Sequence, residues 1–335
     1  MNLRRNMLIP AAALVLLVSS CNYLDVSDQL AGGLQNTDEV FENVSYTKRW
    51  YASIFTGIPD YSGLNSTNVN GFKNPWASIC DELVTGYGNA SKYNNSDKNA
   101  TNVSFHRYGD CYKAIRQANI FLQKAHVITA GGTQGDELLE PELKRYQANA
   151  RFMRAFYHYL LFEQYGPIII VGDKVYEATE SQDMSRNSVD EVVEYLDKEL
   201  LASADELSQE PIIDENYRAE PTKGVALAVR AKMWVYAASP LLNGGFNEAL
   251  NIANPDGKKL FPIADAAKWE RARQACADFI NYANENNRYE LYYAAPEKNG
   301  VVNPEKSVYE LFQKYTKEII WATATADWGL SLIHI

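Results

Sequence analysis

The side chains that most often carry catalysis are sparse in this sequence and stand far apart. Four histidines are spread along the chain, and no two have the HxxxH or HExxH spacing that brings a pair of imidazoles to one metal ion. The adjacent acids Asp81 and Glu82 would diverge by about 100° on a helix, so they would not face one glycosidic bond. No GxSxG, Walker or GxGxxG motif follows a predicted strand. The sequence therefore predicts a protein that is not an enzyme and that holds no metal or cofactor.

Aromatic rings mixed with amides offer a different chemistry, that of sugar binding. Residues 59–104 are rich in Asn, Ser, Gly and Tyr, and they include Trp76, Tyr87 and Tyr93. A ring stacks on the apolar C–H face of a sugar while amides hydrogen-bond its hydroxyl groups, so this composition predicts an oligosaccharide-binding loop. Trp328, beyond the last regular element, is the fourth candidate ligand contact. The alternative is a solvated, variable loop whose Trp76 packs ahead of a short helix.

A polar stripe made by Gln147, Arg151, Arg154 and His158 interrupts an otherwise apolar helix pattern. Positions three and four residues apart lie on one helix face, so we expect the stripe to be the uncovered side of this helix. Two interpretations stay open. The cationic residues grip an anion, or they pair with acidic neighbours at the edge of the core.

The helix that carries this stripe is predicted for residues 141–165. Its apolar residues recur at a spacing of three and four and fill two faces, which indicates a helix that other helices surround. Pro141 suits the first turn, and the sequence Tyr165-Gly166-Pro167 stops the helix because Gly turns left-handed and Pro cannot continue.

Further helices are predicted from periodicity and capping signals, which gives a mainly α fold. They begin at Thr37, at Asp110 and at Ser188, where Ser188 and Glu191 form a capping box, and another lies between Thr222 and Pro240. The residues AAKWERARQACADFINYANEN add one more, and PEKSVYELF a short one that precedes a β-like run from Glu318 to Thr325. Consecutive helices can pair, although no strict repeat of about 34 residues, as in tetratricopeptide proteins, survives inspection.

The N-terminus is a targeting segment. Residues 1–20 combine basic Arg4 and Arg5 with a short apolar run, and a small-residue cleavage site ends at Cys21. The Cys in that position is typical of a bacterial lipoprotein, in which Cys21 carries the lipid and residues 21–36 form a tether. The alternative is a plain secretory signal. Removing residues 1–20 takes the formal net charge from −10 to −12, which excludes nucleic acid as a natural partner.

Three cysteines remain after Cys21, namely Cys80, Cys111 and Cys276. They are far apart and odd in number, so they do not form a metal pattern and leave room for one disulfide at most.

The block RFMRAFYHYLLFEQYGPIII, together with TDEVFENVSYTKRWYASIFTGIP and YKAIRQANIFLQKA, resembles the SusD/RagB family. The resemblance implies a tetratricopeptide-like scaffold of helix pairs with long loops and little β-structure. It also implies a lipid-anchored protein on the surface of the outer membrane that binds a glycan and acts as the lid of a SusC-like TonB-dependent transporter. Ligand residues vary within the family, so the resemblance assigns none here.

The resemblance divides the chain into a helical domain at residues 37–240 and an incomplete C-terminal region at 241–329. The last six residues, 330–335, match one reading frame of a common sequencing-library adapter, so we interpret them as non-native and the gene as cut within the fold. A natural stop codon after Ile335 would contradict this. Two other functions stay open: a peptide-binding or general helical-repeat scaffold, and a hydrolase whose catalytic half is missing.

Overall fold

A computed structural model describes the protein with its side chains. The residues that it describes are 37–59, 106–129, 137–176, 180, 183–296, 300–311 and 313–322.

Within these ranges the secondary structure is helical, with isolated bridges and no β-strand, which confirms the mainly α prediction. The α-helices are α1 Thr37–Phe41, α2 Val44–Ser53, α3 Tyr108–Lys124, α4 Glu140–Tyr165, α5 Val189–Glu206, α6 Lys223–Ala238, α7 Ala267–Asn284 and α8 Pro304–Leu311. Short 3₁₀ turns follow α2 at Ile54–Gly57 and α7 at Glu285–Asn287, and a third covers Ala249–Asn251.

Helix α4 is the central element, and its bounds differ from the predicted ones by a single residue. Its 26 residues give a length of about 39 Å. Aromatic and aliphatic side chains from both predicted faces are buried, including Phe152, Met153 and Tyr157. The helix ends because Gly166 adopts a φ of +67° and its N–H returns to the carbonyl of Phe162 at 2.9 Å.

Each helix from α3 to α7 packs on the next one along the chain, as expected for a helical-pair scaffold. Helix α6 fits between α5 and α7 because small residues on its surface, such as Ala226 and Ala237, are fully buried and allow close approach. Trp234, also on α6, fills the remaining space and is 1% exposed. One continuous core results.

Helix α5 begins with the predicted capping box. The Ser188 side chain accepts a hydrogen bond from the Glu191 N–H, and the Glu191 carboxylate accepts one from the Ser188 N–H at 2.7 Å.

Two local expectations need correction. The periodicity that starts at Thr37 continues across α1 and α2, but the helix itself breaks because Asn43 is extended and caps the N–H of Tyr46 at 3.1 Å. The β-like run predicted for Glu318–Thr325 forms no strand in its described part, 318–322. Trp321 instead lays its ring edge against Phe156 on α4, with the centroids 5.2 Å apart, and its indole N–H donates to the carbonyl of Ala219.

Candidate ligand-binding site

The predicted ligand contacts Trp76, Tyr87, Tyr93 and Trp328 all lie outside the described residues, as does the lipidation site Cys21. They therefore stay predictions. Cys80 lies outside as well, whereas Cys111 and Cys276 are free thiols. Burial raises the pKa of the Cys111 thiol to about 11, so this thiol is a core side chain and not a reactive one.

The described part of the chain contains a cavity of about 460 Å³ between the first half of α3 and residues 168–176, which we call the wall segment. This volume lies within the usual range of small-molecule sites. Its lining consists of three tyrosines, two cationic residues, three apolar residues and one glycine. These residues are Tyr108, Gly109, Tyr112, Arg116, Ile169, Val171, Lys174, Tyr176 and Met184.

The tyrosines of α3 give the cavity an aromatic edge. The ring centroids of Tyr108 and Tyr112 lie 4.7 Å apart in an edge-to-face arrangement, and those of Tyr108 and Tyr165 lie 5.5 Å apart. Tyr165 is fixed in turn, since its hydroxyl accepts a hydrogen bond from the Arg107 N–H at 2.8 Å. Tyr108 nevertheless remains 38% exposed, so part of this residue stays accessible to solvent.

The wall segment forms no strand and contains a turn at residues 172–173, and side chains of neighbouring elements satisfy its backbone. The Tyr112 hydroxyl donates to the carbonyl of Ile169 at 2.8 Å and accepts from the N–H of the same residue at 3.0 Å. The Asn119 amide donates to the carbonyls of Gly172 and Lys174, both at 3.0 Å. The shape of the cavity therefore depends on polar side chains of α3, which the sequence identified only as helix periodicity.

Replacing Tyr112 with Phe tests this dependence. Both backbone groups of Ile169 lose their partner, so we expect the free energy of unfolding to fall by about 1–3 kcal/mol. Urea denaturation measures the change. The control is Tyr293→Phe, because Tyr293 is 66% exposed and should lose almost nothing. Equal stability of the two variants would show that water replaces the hydroxyl at Ile169.

The polar stripe of α4 is not uncovered, contrary to the expectation from the sequence. Arg154 is 8% exposed and His158 is fully buried, because α5 and the wall segment cover this side of the helix. Arg154 donates to the Glu199 carboxylate at 2.8 Å, and Arg151 pairs with Glu199 at 3.3 Å and also with Glu206. The interpretation as ion pairs with acidic neighbours is confirmed for the two arginines.

The electrostatics of this cluster keep its groups in defined states. Burial alone would raise the pKa of Glu199, but hydrogen bonds from Arg151 and Arg154 outweigh burial and hold that pKa below its usual value. Burial lowers the pKa of His158 to about 4, so the imidazole is neutral. One ring nitrogen, Nδ1, donates to the Arg154 carbonyl at 2.8 Å, which leaves Nε2 to accept from the Val171 N–H at 3.4 Å. His158 thus connects α4 to the cavity wall.

The described ranges contain no group of three or more His, Cys, Asp or Glu side chains placed to hold a metal ion. Among the same residues, no helix has the length and apolar character needed to cross a membrane.

Comparison with solved structures gives the relatives of this fold. The structure named BT4246 matches with 24% sequence identity and a TM-score of 0.61, covering 84% of this chain and 51% of its own. A SusD-like protein (BF3747) from Bacteroides fragilis NCTC 9343 matches with 17% identity and a TM-score of 0.52, covering 88% of this chain and 46% of its own. This chain therefore spans about half the length of these two structures. No curated protein gives a significant match.

A family model gives the same answer from the sequence. The model SusD-like_3, described as "Starch-binding associating with outer membrane", matches residues 35–235. This range contains helices α1 to α5 and most of α6, with the cavity beside α3 and the buried ion pairs of α4. Because the match covers more than half of the chain, the protein belongs to this SusD-like family.

Proposed function

We propose that this protein is a non-catalytic, lipid-anchored binding protein on the surface of the outer membrane. It captures an oligosaccharide and delivers it to a SusC-like TonB-dependent transporter, on which it acts as a lid. Membership of a family described as starch-binding and associated with the outer membrane is the observation that carries the proposal. Cys21 would supply the anchor. Acylated on its thiol and its amino group, as in bacterial lipoproteins, it would carry the several acyl chains that stable anchoring needs.

The architecture supports a division of tasks between two surfaces. The helices from α3 to α7 form a rigid scaffold with a continuous core, which suits a broad contact with a protein partner. Ligand capture needs a concave site with rings and hydrogen-bonding groups, and the cavity beside α3 has both. We place the sugar there and on the loop that carries Trp76, Tyr87 and Tyr93, with Trp328 as a further contact.

Glycan binding by the full chain tests the proposal. We expect saturable binding to at least one oligosaccharide on a glycan array, with the affinity then measured by calorimetry. Trp76→Ala should weaken it by about 5- to 150-fold, if a sugar stacked on the ring loses about the same 1–3 kcal/mol that a stacked nucleobase loses when an aromatic side chain is removed. Trp269→Ala is the matched control, since this Trp lies on α7 and is 51% exposed.

Other outcomes would contradict the proposal. Binding to peptides and to no glycan would favour the peptide-binding alternative. Release of shortened products from a bound polymer would favour a hydrolase. Equal losses in Trp76→Ala and Trp269→Ala would remove the ligand contact from the loop while leaving glycan binding itself intact.

A further inference from the structure

We propose that the cavity beside α3 binds an acidic sugar unit, a uronic acid, whose carboxylate pairs with Arg116. This inference rests on the proposed function and narrows its ligand class. The cavity would therefore select acidic oligosaccharides over neutral ones.

The charge of the cavity lining is the first observation. The chain as a whole carries a formal net charge of −10, yet the charged residues that line the cavity are both cationic, Arg116 and Lys174. The nearby acids Asp110 and Asp173 do not line it, and Asp110 pairs with Lys113 at 3.5 Å. A cationic recess on an acidic protein concentrates anions at that one place.

The state of Arg116 is the second observation. Its guanidinium donates one hydrogen bond, to the carbonyl of Tyr176 at 2.6 Å, and no ion pair joins it to a carboxylate among the described residues. A guanidinium has five N–H donors, and the described contacts of Arg116 use one of them. The bond to Tyr176 holds the group in place before the ligand arrives, which lowers the entropy lost on binding.

Lys174 differs from Arg116 although both line the cavity. Its ammonium pairs with Glu180 at 2.9 Å and lies 4.2 Å from the centroid of the Tyr176 ring. These contacts already offset its charge. Arg116 is therefore the residue that pairs with the ligand carboxylate, and a planar guanidinium can hold a carboxylate with two parallel hydrogen bonds.

The uncharged lining indicates a ring-shaped ligand and not a small inorganic anion. The rings of Tyr108 and Tyr112 and the apolar side chains of Ile169, Val171 and Met184 all line the cavity. The C–H face of a pyranose ring covers such surfaces, whereas phosphate would leave them exposed to water. A uronic acid combines that face with a carboxylate on the same ring.

The experiment uses calorimetry on the full chain with two sets of probes. The acidic set contains trimers of galacturonate, glucuronate and mannuronate, and the neutral set contains the trimers of the corresponding hexoses. We expect at least one uronate trimer to bind more tightly than its neutral counterpart, with an affinity that falls as salt is raised.

Two substitutions on α3 locate the binding. Arg116→Gln removes a charged hydrogen-bond donor, so we expect uronate affinity to fall by about 10- to 100-fold, whereas Arg116→Lys should retain part of it. Lys113→Gln is the matched control, because it removes one positive charge from the same helix outside the cavity and should leave affinity nearly unchanged. Thermal unfolding confirms that each variant is folded.

The failures of this inference and of the proposed function are distinguishable. Neutral trimers that bind as tightly as uronates overturn the inference and leave glycan binding in place. Uronate binding that is equal in Arg116→Gln and Lys113→Gln overturns the assignment to this cavity, as does displacement of the trimer by inorganic phosphate at equal concentration. If neither set of trimers binds and no glycan on the array binds, both the inference and the proposed function are overturned.

Discussion

Replacing Glu199 with Gln is expected to lower the free energy of unfolding by about 3–5 kcal/mol, the usual cost of breaking a buried ion pair from one side. The Glu199 and Arg154 side chains are 11% and 10% exposed, with 2.8 Å between their charged atoms. The substitution leaves the Arg154 charge buried without its carboxylate, because no other acid pairs with it among the described residues. Urea denaturation monitored by circular dichroism measures the loss.

Helix α5 supplies a matched control for this substitution. Glu194 lies on the same helix and pairs with Arg271, but their side chains are 59% and 43% exposed. Water compensates such charges, so Glu194→Gln should cost about 0.2–1 kcal/mol. If both variants lose the same amount, burial of the Arg154 pair contributes nothing and the prediction is wrong.

The same cluster extends to the candidate site, which makes the loss a functional matter as well. Arg154 donates to the Asn119 side-chain carbonyl at 3.3 Å, and the amide of Asn119 holds the wall segment through Gly172 and Lys174. Glu199 thus fixes Arg154, and Arg154 orients Asn119. In the Glu199→Gln variant, we expect the backbone amides of the wall segment to exchange their hydrogens with solvent sooner than those of the rest of the fold.

The scaffold could be predicted from the sequence because its signals are local. The bounds of α4 follow from apolar spacing and from the stop at Gly166, and the start of α5 follows from Ser188 and Glu191, three residues apart. Each signal involves atoms within one or two helical turns. Reading such signals requires no knowledge of the tertiary structure.

The burial of the polar face of α4 could not be predicted, because it depends on which residues come into contact from distant parts of the sequence. In the sequence, Arg154 and His158 look like a solvent-facing stripe. In the structure, Glu199 pairs with Arg154 although the two residues are 45 positions apart. Segment 318–322 has β-forming residues but no strand to pair with in the described structure, so Trp321 packs on α4. Polar residues inside a core require hydrogen-bond or ion-pair partners, and a single sequence does not show which residues these partners are.

The sequence did not predict the cavity, for a related reason. Its aromatic residues Tyr108 and Tyr112 belong to a regular amphipathic helix, where rings are ordinarily core residues, and Arg116 follows them at helical spacing. The wall segment that completes the cavity lies more than 50 residues away from them in sequence. The sequence signal that could have indicated the site is the combination of Tyr, Tyr and Arg at i, i+4 and i+8 on one face of α3.

Acidification should destabilise this protein through His158, by about 3 kcal/mol between pH 6.5 and 4. Burial lowers the pKa of His158 to about 4 in the folded state, whereas an unfolded histidine titrates near 6.5. Between these values the unfolded chain binds a proton that the folded chain does not, so the free energy of unfolding falls as pH falls. The stabilisation is complete above pH 6.5 and is lost on the way down to 4.

A variant without His158 separates the contribution of this histidine to the pH dependence of stability from that of the carboxylates, which also become protonated as the pH falls. His158→Gln removes the imidazole, so its free energy of unfolding should depend less steeply on pH over this interval, even where its stability at neutral pH is lower. His126→Gln is the control, because the His126 side chain is 48% exposed, and this variant should keep the acid sensitivity that the buried imidazole produces. Protonated Nε2 can no longer accept the Val171 N–H, so ligand affinity should decline together with stability. Parallel pH profiles for wild type and His158→Gln would show that the buried imidazole does not govern acid sensitivity.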